Sequence, residues 1–103
     1  MTFYSDKVEQ AILSFPPGIL TNFLHIAEMI EEFGPALGLP YTKAIGEGLF
    51  EIRAKGKEVI GRSFFCTVKG KEIIIIHSFI KKSQKTPKKE LATARKRLKE
   101  VKP

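Results

Sequence analysis

The sequence is poor in the residues that form cross-links and metal sites. Cys66 is the only cysteine among 103 residues, so no disulfide can form within the chain. One cysteine and two distant histidines, His25 and His77, do not supply the ligand set of a structural zinc site. The sequence therefore indicates no metal site and no cofactor. His25 lies outside the apolar stripe of its predicted helix, so we interpret it as a surface residue.

Long apolar runs and targeting signals are also missing from the sequence. No apolar run approaches the length of a membrane span, and the opening residues MTFYSDKVEQ lack the charged and apolar regions of a signal peptide. We therefore expect a cytoplasmic protein. With 103 residues, of which 43% are hydrophobic, the chain is long enough to bury one modest core. The expectation is a single domain over residues 1–103.

Acidic residues are scarce in the last fifth of the chain. Residues 1–80 contain eight Lys/Arg and nine Asp/Glu, whereas residues 81–103 contain ten Lys/Arg and two Glu. The net charge of +7 thus arises from the C-terminal segment. Such a block is typical of a protein that binds a polyanion, and nucleic acid is the first candidate. An anionic membrane, an acidic protein and a solvated tail without a partner are the alternatives.

Apolar residues at helical spacing predict three helices, over residues 5–14, 17–33 and 88–101. The pair Thr86-Pro87 supplies a helix cap and a first helical position for the third helix. This last helix is mostly cationic and has only a narrow apolar stripe. A stripe of this width argues against binding to a membrane surface.

The residues between the second and third helices predict a sheet. Residues 34–48 are rich in Gly and Pro and predict a loop. Strand patterns follow over residues 49–53, 59–68 and 72–80, joined by short turns that contain Gly. These features predict an α+β fold, in which two N-terminal helices pack on a three- to four-stranded antiparallel sheet and a basic helix follows at the C-terminus.

Strand alternation predicts which side chains share a face of this sheet. A two-residue turn at Lys69-Gly70 pairs Arg62 with His77, and opposed residues point to the same side. Arg53 and Lys81 fall on that side as well, which we expect to face solvent. The opposite side is expected to pack beneath the helices and carries Phe50, Ile52, Phe65, Ile74 and Ile76.

Two arginines, a histidine and a lysine on one exposed face suggest a phosphate site. Arginine binds phosphate through a bidentate fork, and histidine exchanges protons near neutral pH. These groups are sufficient to cleave RNA without a metal, by attack of the ribose 2′-OH on the adjacent phosphorus. The structural alternatives are a surface ion pair of Arg53 with Glu47 or Glu51 and a merely hydrogen-bonded His77.

Four segments, GLFEIR, GRSFF, HSFIKKSQKTP and KELATARKR, occur in this order within residues 27–100. Together they resemble the RelE/HigB-type toxins of bacterial toxin–antitoxin modules, in particular their phage-related branch. The resemblance implies a RelE-like fold and a metal-independent endoribonuclease that cleaves messenger RNA on the ribosome and so inhibits translation. It also implies a cognate antitoxin partner of the helix-turn-helix type.

The resemblance assigns roles to individual residues. Arg62 matches an arginine that contacts the scissile phosphate, Arg53 ends a substrate-contacting strand, and Lys81 follows the last strand, so Arg53, Arg62, Lys81 and His77 form the expected catalytic set. Relatives also use a tyrosine near the C-terminus, which this chain lacks, so the general base stays open. The residues expected to grip the RNA backbone are Lys82, Lys85, Lys88, Lys89, Arg95 and Arg97.

Two other functions are compatible with the same fold. One is a ParE-like toxin that inhibits DNA gyrase by binding, without cleavage. The other is a basic RNA-binding protein of this fold that has no catalytic activity. The cluster of Arg62, His77 and Lys81 favours the nuclease, because inhibition by binding does not require a phosphate-cleaving site.

Overall fold

The computed structural model describes residues 1–70, 72–81 and 85–102. They form one mixed sheet and three helices, and the α+β class is as predicted. The strands are β1 (Thr2–Phe3), β2 (Thr42–Gly46), β3 (Leu49–Lys55), β4 (Ile60–Val68) and β5 (Glu72–Lys81), and the helices are α1 (Asp6–Leu13), α2 (Pro17–Phe33) and α3 (Lys88–Val101).

The helix boundaries follow from local chemistry. The hydroxyl of Ser5 accepts the backbone N–H of Val8 and so caps α1. Pro17 is the first residue of α2, and Gly34 ends it with φ of 93°, a conformation that favours glycine. The predicted bounds of α2 and α3 are therefore confirmed. Thr86 does not cap α3, because no side chain bonds to its first turn and the Thr86 hydroxyl bonds elsewhere.

The prediction of a three- to four-stranded antiparallel sheet is wrong. The sheet has five strands in the order β1-β5-β4-β3-β2, and β1 runs parallel to β5. Part of the predicted loop over residues 34–48 is β2, which forms a tight hairpin with β3. Its connection is the pair Glu47-Gly48, with φ of 56° and 85°. Positive φ at both residues is required in the two-residue hairpin turn whose twist matches the twist of the two strands.

The pairing of β4 with β5 differs from the predicted register. Arg62 pairs with Phe79, and Phe64 pairs with His77. Val68 pairs with Glu72 and not with Lys71, the partner that a two-residue turn at Lys69-Gly70 implies. Lys71 itself lies outside the described residues. This shift of one residue reverses the faces of β5 next to the turn. A bulge next to Phe64 then inserts one extra residue in β5, so the predicted faces are restored from His77 onward. Arg62, His77 and Lys81 consequently share a face, as predicted.

Helices cover both faces of the sheet. On one face α1 and α2 pack over a core that includes Ile52, Phe65 and Ile75. On the other face α3 packs through Ala94 and Leu98, and the cluster there includes Phe64, Cys66, Ile74 and Ile76. The prediction that Ile74 and Ile76 pack beneath the N-terminal helices is therefore wrong. The one-residue shift at the β4–β5 turn is the reason, because it pairs Ile74 with Cys66 on the α3 face, and the bulge restores the predicted faces only from His77 onward.

Candidate functional site

The two arginines predicted to bind phosphate are buried. Arg53 and Arg62 oppose each other on β3 and β4 and are 8% and 0% exposed. Nη1 of Arg53 lies 3.1 Å from Oε1 of Glu51, which is also fully buried. Nη1 of Arg62 donates to the hydroxyl of Thr86 at 3.2 Å, and this hydroxyl donates to Oε2 of Glu51 at 3.1 Å. Burial lowers the pKa of Arg62, an effect that the charge of Glu51 opposes and that of Arg53 reinforces.

The prediction of a solvent-facing cationic surface on the sheet is thus wrong for Arg53 and Arg62. The apolar stripe of α3 packs on this second face of the sheet through Ala94 and Leu98. Thr86, two residues before the start of α3, bonds to both Arg62 and Glu51, so the segment that leads into α3 lies against the ionic cluster. Arg53 therefore pairs with Glu51, as one alternative proposed, but inside the protein and not on its surface.

His77 lies at a pocket between three elements. The pocket has a volume of about 200 Å³ and is lined by Lys7, Val8 and Ala11 of α1, His77 and Ser78 of β5, and Arg97 of α3. It lies beside the part of β5 that extends past β1, because β1 pairs only with Ile74 and Ile75. The fold thus leaves an opening between α1 and α3 at this edge of the sheet.

The pocket is cationic. Neither Lys7 nor Arg97 forms an ion pair with a carboxylate within the described ranges of the chain. Arg97 instead donates from Nη1 to the carbonyl oxygen of Ile76 at 3.1 Å and lies 3.3 Å from Nδ1 of His77. The side chain of His77 is 18% exposed, and its Nε2 lies 3.3 Å from Oε1 of Glu90. Two cations without a counter-ion, next to an imidazole, form a site that fits an anion.

A buried hydroxyl adds to the polar lining of this pocket. Ser78 is 9% exposed, and in the described part of the chain its hydroxyl oxygen has no hydrogen-bond partner. Buried hydroxyls without partners are uncommon in folded proteins, because each missing hydrogen bond costs about 1–3 kcal/mol. Ser78 is therefore a further polar group available to a ligand in this pocket.

An aromatic residue, Tyr4, contacts one of the cations that line the pocket. The backbone N–H of Tyr4 donates to the carbonyl of Ile75 at 2.8 Å, which fixes Tyr4 at the end of β1. Its ring lies under Arg97, with 4.7 Å between ring centroid and Cζ, and its hydroxyl donates to the carboxylate of Glu100. This hydrogen bond, with burial and the charge of Glu100, raises the pKa of Tyr4. The fold thus places a tyrosine against the C-terminal helix although the C-terminus itself has none.

The other predicted cations are at the surface. Lys81 is exposed at the end of β5, and Lys85, Lys88 and Lys89 are exposed at and before the start of α3. Arg95 is half-buried and lies 3.8 Å from a carboxylate oxygen of Glu47. Lys82 lies outside the described residues.

Sequence reasoning missed Lys7, Ser78 and Tyr4 and placed Arg97 only on an RNA-gripping surface. These residues are far apart in the chain, and no motif joins them. The one available signal is Lys7, a cation in the first turn of α1, where the helix dipole disfavours positive charge. His25 is exposed on α2, in agreement with its interpretation as a surface residue.

Together, these features define a small mixed α+β protein with a cationic pocket and two lysines in the first turn of α3. A family model described as phage-derived protein Gp49-like matches residues 10–99, and the chain belongs to this family. The family is associated with toxin–antitoxin systems, which suggests a phage-derived toxin with an antitoxin as its partner. No curated protein matches the chain. In the three described ranges, no helix has both the length and the apolarity needed to cross a membrane.

Proposed function

We propose that this protein is a RelE/HigB-type toxin that cleaves messenger RNA on the ribosome without a metal ion and so stops translation in the cytoplasm. The observation that carries the proposal is the pocket that the imidazole of His77 lines together with two cations, Lys7 and Arg97. Neither cation forms an ion pair with a carboxylate in the part of the chain that the structure describes. Cleavage of RNA requires a group that moves a proton and cations that bind the phosphate, and this pocket contains both.

The chemistry is a transfer at phosphorus within the RNA chain. The ribose 2′-oxygen attacks the neighbouring phosphorus while His77 accepts the 2′-OH proton, and the P–O5′ bond breaks. Arg97 and Lys7 stabilise the negative charge of the pentavalent phosphate, an effect that is strongest when the cations are held in place beforehand. The Arg97 side chain is held by the Ile76 carbonyl and the Tyr4 ring, which supports this role.

The buried cluster has a different role in this proposal. Arg53 and Arg62 stabilise the sheet beneath α3 and do not contact the scissile phosphate, because neither is more than 8% exposed. The flanking RNA backbone is bound by the exposed cations at the end of β5 and around the start of α3: Lys81, Lys85, Lys88 and Lys89.

Regulation is assigned to a cognate antitoxin of the helix-turn-helix type. The high positive charge of residues 81–103 favours a partner with an acidic surface, since complementary charges both speed association and select the partner. Co-purification of the toxin with the product of a neighbouring small gene tests this assignment.

A second candidate is inhibition by binding alone, including a ParE-like toxin that acts on DNA gyrase. The complete burial of Arg62 favours this alternative, because the arginine that the resemblance assigns to the scissile phosphate does not reach solvent. A supercoiling assay with purified gyrase distinguishes the two candidates, since a ribosome-dependent nuclease leaves supercoiling unchanged.

The test of the nuclease is reconstituted translation of a reporter with purified protein, followed by primer extension on the message. The wild-type protein should produce new 5′ ends, and His77→Ala should reduce their rate of formation by about 10²–10⁴-fold. Lys57→Ala, which removes an exposed cation outside the pocket, is the matched control and should cleave like wild type. A message that stays intact while translation stops contradicts the nuclease and supports inhibition by binding.

A further inference from the structure

The hydrogen bonds of His77 define where its proton lies. Nδ1 lies 3.3 Å from Nη1 of Arg97, and Nε2 lies 3.3 Å from Oε1 of Glu90. A guanidinium has only N–H donors, whereas a carboxylate accepts. Nδ1 must therefore accept from Arg97, and Nε2 must carry the hydrogen that is donated to Glu90. The neutral ring with its hydrogen on Nε2 is the form that satisfies both contacts.

Protonation of Nδ1 is incompatible with this arrangement. A proton on Nδ1 would face an N–H group of Arg97 at 3.3 Å, with two donors and two positive charges opposed. The charged groups that contact the ring are Arg97 and Glu90, both of α3, and Lys7 of α1 lines the same pocket. The stacking neighbours of the ring on the sheet, Phe64 and Phe79, are apolar.

We infer that the pocket is a phosphate-binding site in which an incoming phosphodiester replaces Nδ1 of His77 as a hydrogen-bond partner of Arg97, while Ile76 and Tyr4 keep the arginine in place. Nδ1 then becomes free to accept a proton, and Glu90 holds Nε2. The identity of the substrate rests on the proposed nuclease function. The position of the proton rests only on the hydrogen bonds of His77. Arg97 should exchange the imidazole for a phosphate oxygen, because the phosphate oxygen is a charged acceptor and the imidazole is neutral. Lys7 and the Ser78 hydroxyl lie in the same pocket and are available to the other phosphate oxygens.

The reaction requires no further reactant. The 2′-O–H proton moves to Nδ1, the 2′-O–P bond forms and the P–O5′ bond breaks. The proton then passes from Nδ1 to the 5′ oxygen, which gives a 2′,3′-cyclic phosphate and a 5′-hydroxyl. Between the two transfers the ring is an imidazolium that donates to Glu90 through Nε2. Glu90 is therefore a positioning residue, which fixes the ring and stabilises its charged form.

Nitrogen NMR of the full-length protein tests the inference independently of cleavage. The chain has only two histidines, so His25, exposed on α2, serves as an internal reference. Without ligand, His77 should carry its hydrogen on Nε2. A 2′-O-methyl dinucleotide, which cannot be cleaved, should shift the Nδ1 resonance of His77, because Arg97 no longer donates to it, and should leave the His25 resonances unchanged. A ring with its hydrogen on Nδ1, or an Nδ1 resonance that the dinucleotide does not change, overturns the inference.

Two variants separate the roles of the neighbours. Arg97→Gln should shift the Nδ1 resonance of His77 without ligand and reduce the response to the dinucleotide, because the variant removes both the donor to Nδ1 and the phosphate ligand. Glu90→Gln keeps a hydrogen-bond acceptor but removes the charge that stabilises the imidazolium, so kcat should fall by about tenfold while KM stays close to wild type. Glu28→Gln, on the exposed face of α2, is the control and should change neither.

The outcomes distinguish this inference from the proposed function. If the dinucleotide shifts His77 but no message is cleaved, the phosphate site stands and the nuclease fails. If messages are cleaved and Glu90→Gln leaves kcat unchanged, the nuclease stands and the inference fails.

Discussion

The ring of Tyr4 lies against the guanidinium of Arg97, 4.7 Å from centroid to Cζ, although the two residues are at opposite ends of the sequence. The contact joins the residue that follows β1 to α3. It restrains Arg97 in addition to the bonds of this side chain with Ile76 and His77. Tyr4 therefore belongs to the support of the candidate site.

Removal of the Tyr4 ring should weaken RNA binding. Tyr4→Ala releases Arg97 from its stacking partner and should lower the affinity for a short RNA by roughly threefold to tenfold. Tyr4→Phe keeps the ring and removes only the bond to Glu100, so its affinity should stay close to wild type. Fluorescence anisotropy with a labelled RNA measures both, and Tyr41→Ala, on an exposed tyrosine, is the control. An equal decrease in Tyr4→Phe and Tyr4→Ala would assign the effect to the hydroxyl.

The hydroxyl of Tyr4 provides a prediction about pH. Its pKa is raised above 10.0, first by the hydrogen bond to Glu100 and then by burial and the charge of Glu100. The neutral phenol is thus the form that the folded protein favours. Its stabilising effect is complete below pH 10 and disappears as the pH rises through the raised pKa.

Glu100→Gln should lower the pKa of Tyr4 towards its ordinary value, because the amide has no charge. Tyrosinate absorbance measured against pH should show the change, and subtraction of the Tyr4→Phe curve isolates this residue from Tyr41. The control is Glu28→Gln, for which the curve should match that of wild type. An unchanged curve in Glu100→Gln would mean that the two side chains do not bond in solution.

The buried cluster beneath α3 should dominate the stability of this face of the sheet. Glu51→Gln removes the carboxylate that pairs with Arg53 and accepts from Thr86. Removal of one partner from a buried ion pair costs roughly 3–5 kcal/mol, so the free energy of unfolding should fall by about that amount. Urea denaturation measures the change. The control, Glu47→Gln, alters a carboxylate that is 84% exposed, and its effect should be near zero.

The first turn of α3 should show a conflict between stability and binding. Lys88 and Lys89 place positive charge where the helix dipole disfavours it. The double variant Lys88→Glu/Lys89→Glu should therefore be more stable, by roughly 0.5 kcal/mol for each position. RNA affinity should fall, and its dependence on salt should become less steep, by about 0.7 in log–log slope for each phosphate that a lysine no longer neutralises.

The matched control for this variant has the same change in net charge elsewhere. Lys43→Glu/Lys57→Glu alters two exposed lysines outside α3. If the control reduces affinity to the same extent, net charge and not the position of the lysines determines binding.

The helices were predictable because their limits are local. Pro17 and Gly34 set the bounds of α2 whatever the rest of the chain does. The β2–β3 hairpin was missed because the same residue types that indicate a loop also build its turn, at Glu47-Gly48. The strand β1 contains only two residues, and no periodic pattern can reveal a strand of that length.

The candidate site was predictable only in part, since it depends on where α3 packs. The alternation of side chains along the strands correctly placed Arg62 and His77 on one face of the sheet. The result was correct because two errors cancelled, one in the length of the β4–β5 turn and the other the missed bulge in β5. Alternation does not show what covers a face, so the burial of Arg62 was missed. The meeting of Lys7, His77 and Arg97 requires the packing of three elements and has no signature in the sequence.

The pairing of β1 with β5 has a consequence for biosynthesis. During synthesis β1 must wait for β5 before the two strands can pair, and the pocket needs α3 as well. A nascent chain that still lacks α3 has Lys7 and His77 but no Arg97. If the protein acts as we propose, the nascent chain is inactive until α3 has been made, and the antitoxin can be synthesised during that interval.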